Sequence, residues 1–409
     1  MEPWHCDDRA TIYHGDCREV LRSLPDASVD SVVTDPPYEL GFLGKQWDAS
    51  GIAYDADLWA EALRVLKPGG HLLAFGGTRT WHRLAVAVED AGFEVRDSIA
   101  WLYGSGFPKS LDVSKAIDKA AGAEREVVGI GKYANRGRVP SGSQVDVGDS
   151  ASSTVTAPAT PDAARWSGWG TALKPAFEPV VVARKPLTGT VAANVLEHGV
   201  GGLNIDGCRI GFSSNADEAE SKGKNRHADF GTPAGGNTVY GDFSMVPRTN
   251  YNPPGRWPAN VVLDEDQADA LDRQSGHGVS RIGKPRGAAS GDGWGMTATG
   301  AEYADSGGAS RFFYVAKAPA RERPKVDGVA HPTVKPLTLM RWLCRLVTPP
   351  GGIVLEPFAG SGTTIEAALM EGFRVVAIER EDDYLPLIAA RLERVGQEPD
   401  GQLTFDASA

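Results

Sequence analysis

The chain has 409 residues, 41% of them apolar, enough to bury a sizeable core and to hold one large domain with a second one inserted. Its formal charge is −11, its four cysteines (Cys6, Cys17, Cys208, Cys344) stand far apart without metal-ligand spacing, and no apolar run is long enough to span a membrane. A disulfide framework, a zinc site and a membrane protein are disfavoured, no signal peptide follows Met1-Glu2-Pro3-Trp4-His5-Cys6, and the expectation is a cytoplasmic protein with reduced thiols.

In chain order, a helix is expected over 18–24, and the apolar run 29–33 reads as a buried strand, with 31–34 central in a sheet. A helix over 58–66 puts Leu58, Ala62, Leu63 and Leu66 on one face. Lys67-Pro68-Gly69-Gly70 reads as a breaker before a strand over 72–75. A helix over 79–91 ends at Gly92, and a strand follows over 94–103. Residues 110–121 are predicted helical, and 131–161, rich in Ser, Gly, Thr and Ala, a mobile loop. The run Phe177-Glu178-Pro179-Val180-Val181-Val182-Ala183 reads as a buried strand, the hairpin partner of 98–103. Residues 185–325 are dense in Gly and Asn, with scattered aromatics, no repeat and no zinc spacing. Order returns with a helix over 337–347, a strand over 353–356, a helix over 363–371, a strand over 374–379 and a helix over 382–395. Strands alternating with helices predict a doubly wound, mostly parallel α/β sheet.

The strand over 31–34 delivers Asp35-Pro36-Pro37-Tyr38 to the mouth of that sheet. Two prolines fix φ and remove backbone donors, leaving carbonyls free to accept hydrogen bonds from a ligand amine. Asp35 adds an acceptor-only charge and Tyr38 a ring face, a set suited to gripping a planar nitrogen base by its exocyclic amine. Structural loops also carry such tetrapeptides, so the reading needs a second element. Pro357-Phe358-Ala359-Gly360-Ser361-Gly362-Thr363-Thr364 provides it: a glycine-rich strand-to-helix turn, where exposed N–H groups and the helix dipole favour an anionic ligand group. No Lys follows, so it is not a phosphate-cradling G-x-x-x-x-G-K-[ST] loop, and the full G-x-G-x-x-G pattern is absent. Glu379, at the end of the next strand, stands where doubly wound sheets hold a ribose diol.

Together these residues resemble the S-adenosylmethionine-dependent DNA amino-methyltransferases. The order, D-P-P-Y first and F-A-G-S-G-T-T last, is that of the family's β arrangement, a circular permutation of the usual Rossmann-like methyltransferase sheet. Three more stretches match: Tyr13-His14-Gly15-Asp16-Cys17, the segment from Lys67 to Phe75, and His331-Pro332-Thr333-Val334-Lys335-Pro336. The resemblance covers 9–110 and 330–395. One departure is Glu356, one methylene longer than the Asp usual at the end of the strand before the loop.

The resemblance implies methyl transfer from S-adenosylmethionine to adenine N6 in double-stranded DNA, with Asp35, Pro36, Pro37 and Tyr38 as the catalytic loop. It implies a cofactor held by Asp16 near the adenine, by Phe358, Gly360, Ser361, Gly362 and Thr363 with Glu356 before them, by Thr333 and Lys335 near the methionine end, and by Glu379 on the ribose. The expected division is 1–110 catalytic half, 111–176 helix and mobile insertion, 177–325 strand and target-recognition region, and 326–409 cofactor-binding half. No metal is implied. Cytosine N4 is the alternative target, since S-P-P-Y is the more typical signature there, and a DNA-binding protein without turnover is the alternative class. A restriction enzyme as second partner, and a monomer or a homodimer, are all compatible with the family. None of the cysteines follows a proline, against the Pro-Cys nucleophile of ring-carbon cytosine methyltransferases.

A charge of −11 is unfavourable for a DNA binder, but its distribution is uneven. Residues 131–325 carry 22 Lys and Arg against 20 Asp and Glu, leaving 20 against 33 in the flanks. Phosphate contacts are therefore expected in the middle, at Lys222, Lys224 and Arg226 and at Arg281, Lys284 and Arg286.

Overall fold

The computed structural model describes residues 1–41, 46–106, 110–130, 154–215, 217–218, 253–276, 278–279, 306–316, 324–326, 328–331 and 333–397. Its chain alternates as expected: β1 (His5–Cys6), β2 (Ala10–His14), α1 (Cys17–Ser23), β3 (Val29–Thr34), α2 (Ala56–Val65), β4 (Leu66–Phe75), α3 (Trp81–Asp90) and β5 (Glu94–Leu102). A satellite of α4 (Val113–Ala120), the hairpin β6 (Val127–Ile130) with β7 (Thr154–Thr156), and α5 (Pro161–Arg165) follows, before β8 (Phe177–Arg184) and α6 (Val191–His198). Then come β9 (Val261–Asp264), α7 (Glu265–Ser275), the short pair β10 (Gly278–Val279) and β11 (Ser306–Gly307), and β12 (Tyr314–Ala316). The C-terminal part is α8 (Leu337–Val347), β13 (Ile353–Glu356), α9 (Thr363–Met370), β14 (Arg374–Glu379) and α10 (Leu385–Gln397).

Ten strands form one sheet in the order β1-β2-β14-β13-β3-β4-β8-β5-β9-β12. It is mostly parallel, with antiparallel pairing at β1–β2, β4–β8 and β5–β8. Successive side chains on a strand point to opposite faces. Val32, Leu72, Ala74 and Val181 accordingly pack with α1, α2 and α3, while Val33, Leu73, Phe75 and Val182 share a core with α8, α9 and α10. Both faces are therefore covered, which defines a doubly wound sheet. Leu72 and Leu73 are fully buried, so truncating either to alanine costs about 2–5 kcal/mol.

The arrangement that matters most for function is the β13–β3 pair. The two strands are adjacent and parallel, with Val354 opposite Ser31 and Leu355 opposite Val32. The loops after Thr34 and after Glu356 thus leave the sheet at the same end. Asp30, buried on β3, locks this pairing: it accepts from Lys67 Nζ at 2.6 Å and from the Ile353 N–H at 2.7 Å.

Several expectations shift. The breaker at Lys67-Pro68-Gly69-Gly70 lies inside β4; the ladder steps from Val29–Leu66 directly to Ser31–His71, so these four residues bulge out while the strand continues. A β-carbon on Gly70 would stand 2.9 Å from the Asp30 carbonyl, which is why glycine occupies the return. The strand over 177–183 does pair with β5, Ile99 opposite Val180, but it also pairs with β4 and so sits between them. The end of the segment read as a mobile loop, 154–156, is strand β7, and 131–153 lie outside the described residues. Regular elements also occur within 185–325: β9 and β12 extend the main sheet beyond β5. Among the described residues no helix is long and apolar enough to cross a membrane.

Candidate active site

The Pro-Pro turn after β3 is braced from both sides. Thr80 donates its hydroxyl to the Tyr38 carbonyl at 2.9 Å, and the buried Asp48 carboxylate accepts from the Glu39 N–H at 3.0 Å and the Leu40 N–H at 3.3 Å. Lys335 Nζ donates to Asp35 Oδ2 at 2.6 Å and lies 3.3 Å from Glu178 Oε2. The Asp35 Oδ1 atom is buried and has no hydrogen-bond partner among the described residues. Tyr38 donates its phenol to Glu178 Oε2 at 2.7 Å. Burial pushes the Tyr38 phenol well above its usual range, and the charges of Asp35 and Glu178 add to that shift. Burial opposes the Lys335 ammonium, but the same two carboxylates outweigh it and raise its pKa.

On the neighbouring strand, the turn between β13 and α9 uses two left-handed glycines, Gly360 (φ 53°) and Gly362 (φ 79°). Glu356 is buried and fully engaged. Its Oε1 accepts from the Thr34 hydroxyl and from the Phe358 N–H (3.0 Å), and its Oε2 from the Thr364 hydroxyl (2.5 Å). Burial raises its pKa to about 8 against the pull of these three bonds. The side chain thereby joins the end of β3 to the start of α9. Behind the loop, fully buried Arg391 donates from Nε to the Ser361 carbonyl at 2.7 Å, from Nη2 to Thr363 Oγ1 at 3.0 Å, and from Nη1 to buried Glu366.

Glu379 ends β14 with both oxygens held by backbone: Oε2 accepts from the Gly360 N–H at 2.6 Å and Oε1 from the Glu381 N–H at 2.7 Å. A carboxylate offers about four lone-pair sites, so acceptor capacity remains. Burial raises the Glu379 pKa to about 7. Asp16 caps α1 through the Arg18 N–H at 2.9 Å and pairs with Arg18 Nη2 at 2.6 Å; this hydrogen bond holds its carboxyl below the usual range.

These groups meet in one cavity of about 1020 Å³. Asp16, Asp35, Pro36, Pro37, Tyr38, Thr333, Lys335, Glu356, Phe358, Gly360, Ser361, Thr363 and Glu379 all line it. Two of the expected cofactor residues take further parts in the packing of the site. Gly362 is not among the lining residues; a β-carbon there would meet Ile388 at 3.2 Å, so its part is to let the turn pack on α10. Lys335, expected near the methionine end of the cofactor, lines the cavity and pairs its ammonium with Asp35 and Glu178. Lys222, Lys224, Arg226, Arg281, Lys284 and Arg286 lie outside the described residues, as does Pro332.

Sequence reasoning missed Glu178, Tyr103, Tyr384 and Arg391 as parts of the site. The available signal was Glu178 itself, a carboxylate in an otherwise apolar strand. His331, noted only within its motif, has Nδ1 2.6 Å from the Thr333 carbonyl and an edge-on contact with Tyr384 at 4.6 Å.

Sheet, turns and cavity define a doubly wound α/β protein whose cleft opens at the ends of adjacent parallel strands, the usual position of ligand sites in such folds. The DNA methylase profile for N6 and N4 enzymes matches residues 29–126 and 222–390, more than half of the chain, and the protein belongs to that family. The Type II methyltransferase M.ScaI of Streptomyces caespitosus is 37% identical over 76 residues, 19% of this chain and 25% of that one. M.BamHI of Bacillus amyloliquefaciens, also a Type II methyltransferase, is 24% identical over 166 residues, 33% of this chain and 38% of its own. The chain thus matches well under two thirds of either relative. Among solved structures, the cytosine-N4-specific PvuII DNA methyltransferase aligns over 97% of this chain and 93% of its own, at 14% identity and a TM-score of 0.42.

Proposed function

We propose that this protein transfers a methyl group from S-adenosylmethionine to the exocyclic N6 amine of an adenine extruded from double-stranded DNA. One observation carries the reading: the Asp35 carboxylate and the glycine loop, more than 300 positions apart in the chain, line a single cavity. Its volume of about 1020 Å³ is generous for one nucleotide-sized ligand, as a site for a cofactor and a base must be.

The residues suit the cofactor. Gly360 has no side chain where a β-carbon would stand 3.3 Å from His331 Nε2, which leaves the loop backbone approachable. Ser361, Thr363 and Phe358 would hold the methionine portion, Glu379 the ribose diol, and Asp16 the adenine end. The bound cofactor supplies an electrophilic methyl group on a sulfonium. The protein must supply a nucleophile, and an adenine amine is a poor one because its lone pair is delocalised into the ring. Asp35 and the Pro36 carbonyl accept the two amine hydrogens, favour a pyramidal nitrogen and free the lone pair. The Asp35 charge also stabilises the positive charge that develops on nitrogen, while Tyr38 offers its ring to the base.

The D-P-P-Y form supports adenine over cytosine N4. The relatives' designation as Type II methyltransferases supports a restriction–modification setting with DNA as the macromolecular partner. Incubation with methyl-labelled S-adenosylmethionine and duplex DNA, followed by nucleoside analysis, tests the proposal. Label in N6-methyladenine is expected. Label in N4-methylcytosine would transfer the assignment to the alternative base, and unlabelled DNA across varied sequences would refute methyl transfer.

A further inference from the structure

We infer that Lys335 and Glu178 form an ionic clamp that positions Asp35 and Tyr38 for methyl transfer, so that Lys335 serves the catalytic carboxylate and not the cofactor. The inference rests on the methyl-transfer reading and deepens it. Among the described residues, Lys335 Nζ donates to Asp35 Oδ2 at 2.6 Å, and the buried Oδ1 has no partner. The Lys335 ammonium therefore orients the group that must meet the substrate amine. That ammonium is itself fixed: Glu178 Oε2 lies 3.3 Å away, and the rings of Tyr38 and Phe75 stand 5.1 and 4.8 Å from Nζ.

Glu178 does two jobs with one oxygen, since Oε2 also accepts the Tyr38 phenol at 2.7 Å. It lies on β8, which reaches the site only because that strand is inserted beside β4. Glu178 also falls between the two segments matched by the family profile. Lys335 is almost fully buried, and each of the two carboxylates beside it stabilises its charge against that burial. The clamp joins three distant pieces of chain: the turn after β3, strand β8 and the segment before α8. Misplacing a reacting group by about 1 Å can cost on the order of 10²-fold in rate.

The test uses the full chain with S-adenosylmethionine and duplex DNA, comparing wild type with Lys335→Met and Glu178→Gln in single-turnover methyl transfer and in cofactor binding. Wild type is measured first, and an inactive wild type refutes the methyl-transfer reading itself. With wild type active, Lys335→Met is expected to lose about 10²-fold in transfer rate while its cofactor Kd stays within about threefold. Glu178→Gln preserves shape and removes one of the two carboxylates facing Lys335, leaving Asp35. The Lys335 ammonium then gives up its proton at lower pH, and the alkaline limb of the pH–rate profile moves downward. If Lys335→Met does not fold, this limb decides. A Lys335→Met rate within threefold of wild type, a loss fully recovered at saturating cofactor, or an unmoved alkaline limb in Glu178→Gln would overturn the clamp and leave methyl transfer standing.

Discussion

Asp35→Asn is the most informative substitution, because it keeps size and changes only which atom accepts. In the native site Oδ2 receives a hydrogen bond from Lys335 Nζ at 2.6 Å, and Oδ1 has no partner among the described residues. Asparagine has one acceptor oxygen and one donor NH₂. Lys335 is a donor only, so it draws the amide oxygen to the Oδ2 position and leaves NH₂ in the place of Oδ1. The acceptor that remains is then occupied by Lys335, and the negative charge that would meet the substrate amine is gone. Losing one well-placed transition-state acceptor costs about 10²–10³ in rate, or roughly 2.7–4 kcal/mol. Asp35→Asn is therefore expected to fall by at least that factor, with cofactor binding intact. Adding Lys335→Met to Asp35→Asn removes the donor that fixes the amide, which can then turn its oxygen toward the substrate. The double variant should be at least tenfold faster than the product of the two single losses predicts, a coupling of about 1.4 kcal/mol or more. Single-turnover transfer of labelled methyl groups measures all four corners. An Asp35→Asn rate within tenfold of wild type, or strictly multiplicative losses, refutes the reasoning.

Three other outcomes follow from the site. Because the Glu379 carboxyl has its pKa raised to about 7 and the ribose hydroxyls donate, the ionised form binds the cofactor better. Affinity should then fall by up to about tenfold per pH unit below 7, and calorimetric titration of Glu379→Gln should lose that component; an identical pH dependence in both proteins removes Glu379 from the ribose. Tyr38→Ala should weaken capture of the extruded base by about 1–3 kcal/mol, whereas Tyr38→Phe keeps the ring and loses only the bond to Glu178. The fluorescence of 2-aminopurine at the target base reads the difference, and equal extrusion by wild type and Tyr38→Ala would dismiss stacking. Glu356 has a pKa raised from 4.5 to about 8 in the fold, so its contribution to stability is fully present below 4.5, is lost progressively as pH rises from there, and is gone above about 8. Thermal unfolding should show Tm falling between about pH 5 and pH 8 in wild type, levelling above that, and flattening in Glu356→Gln; parallel curves would contradict it.

What the sequence revealed and what it hid divide along a physical line. The end of β3, the glycine turn and the strands β13 and β14 were legible because their signals are local: apolar runs closed by Pro-Pro, Gly-Ser-Gly or an acidic residue. The helix Leu337–Val347 was legible because eight of its residues are buried and leave a strong 3.6-residue rhythm. The helix Glu265–Ser275 gave no such rhythm, since Ala268 is its only buried residue, and the short strands Val261–Asp264 and Tyr314–Ala316 rely on partners far along the chain. The site divides in the same way. Asp35 and the glycines announce themselves by motif, but the place of Lys335 does not, because it is decided by a partner 300 positions away and by the register of β8. Glu356 shows why the two halves cannot be read separately. One oxygen takes the Thr34 hydroxyl from the end of β3 and the other takes the Thr364 hydroxyl from the helix that follows the glycine turn. The glycine turn and the end of β3, one residue before Asp35, are therefore tied together through a single buried side chain, so a group seated on the turn would be coupled to the carboxylate proposed to meet the substrate amine.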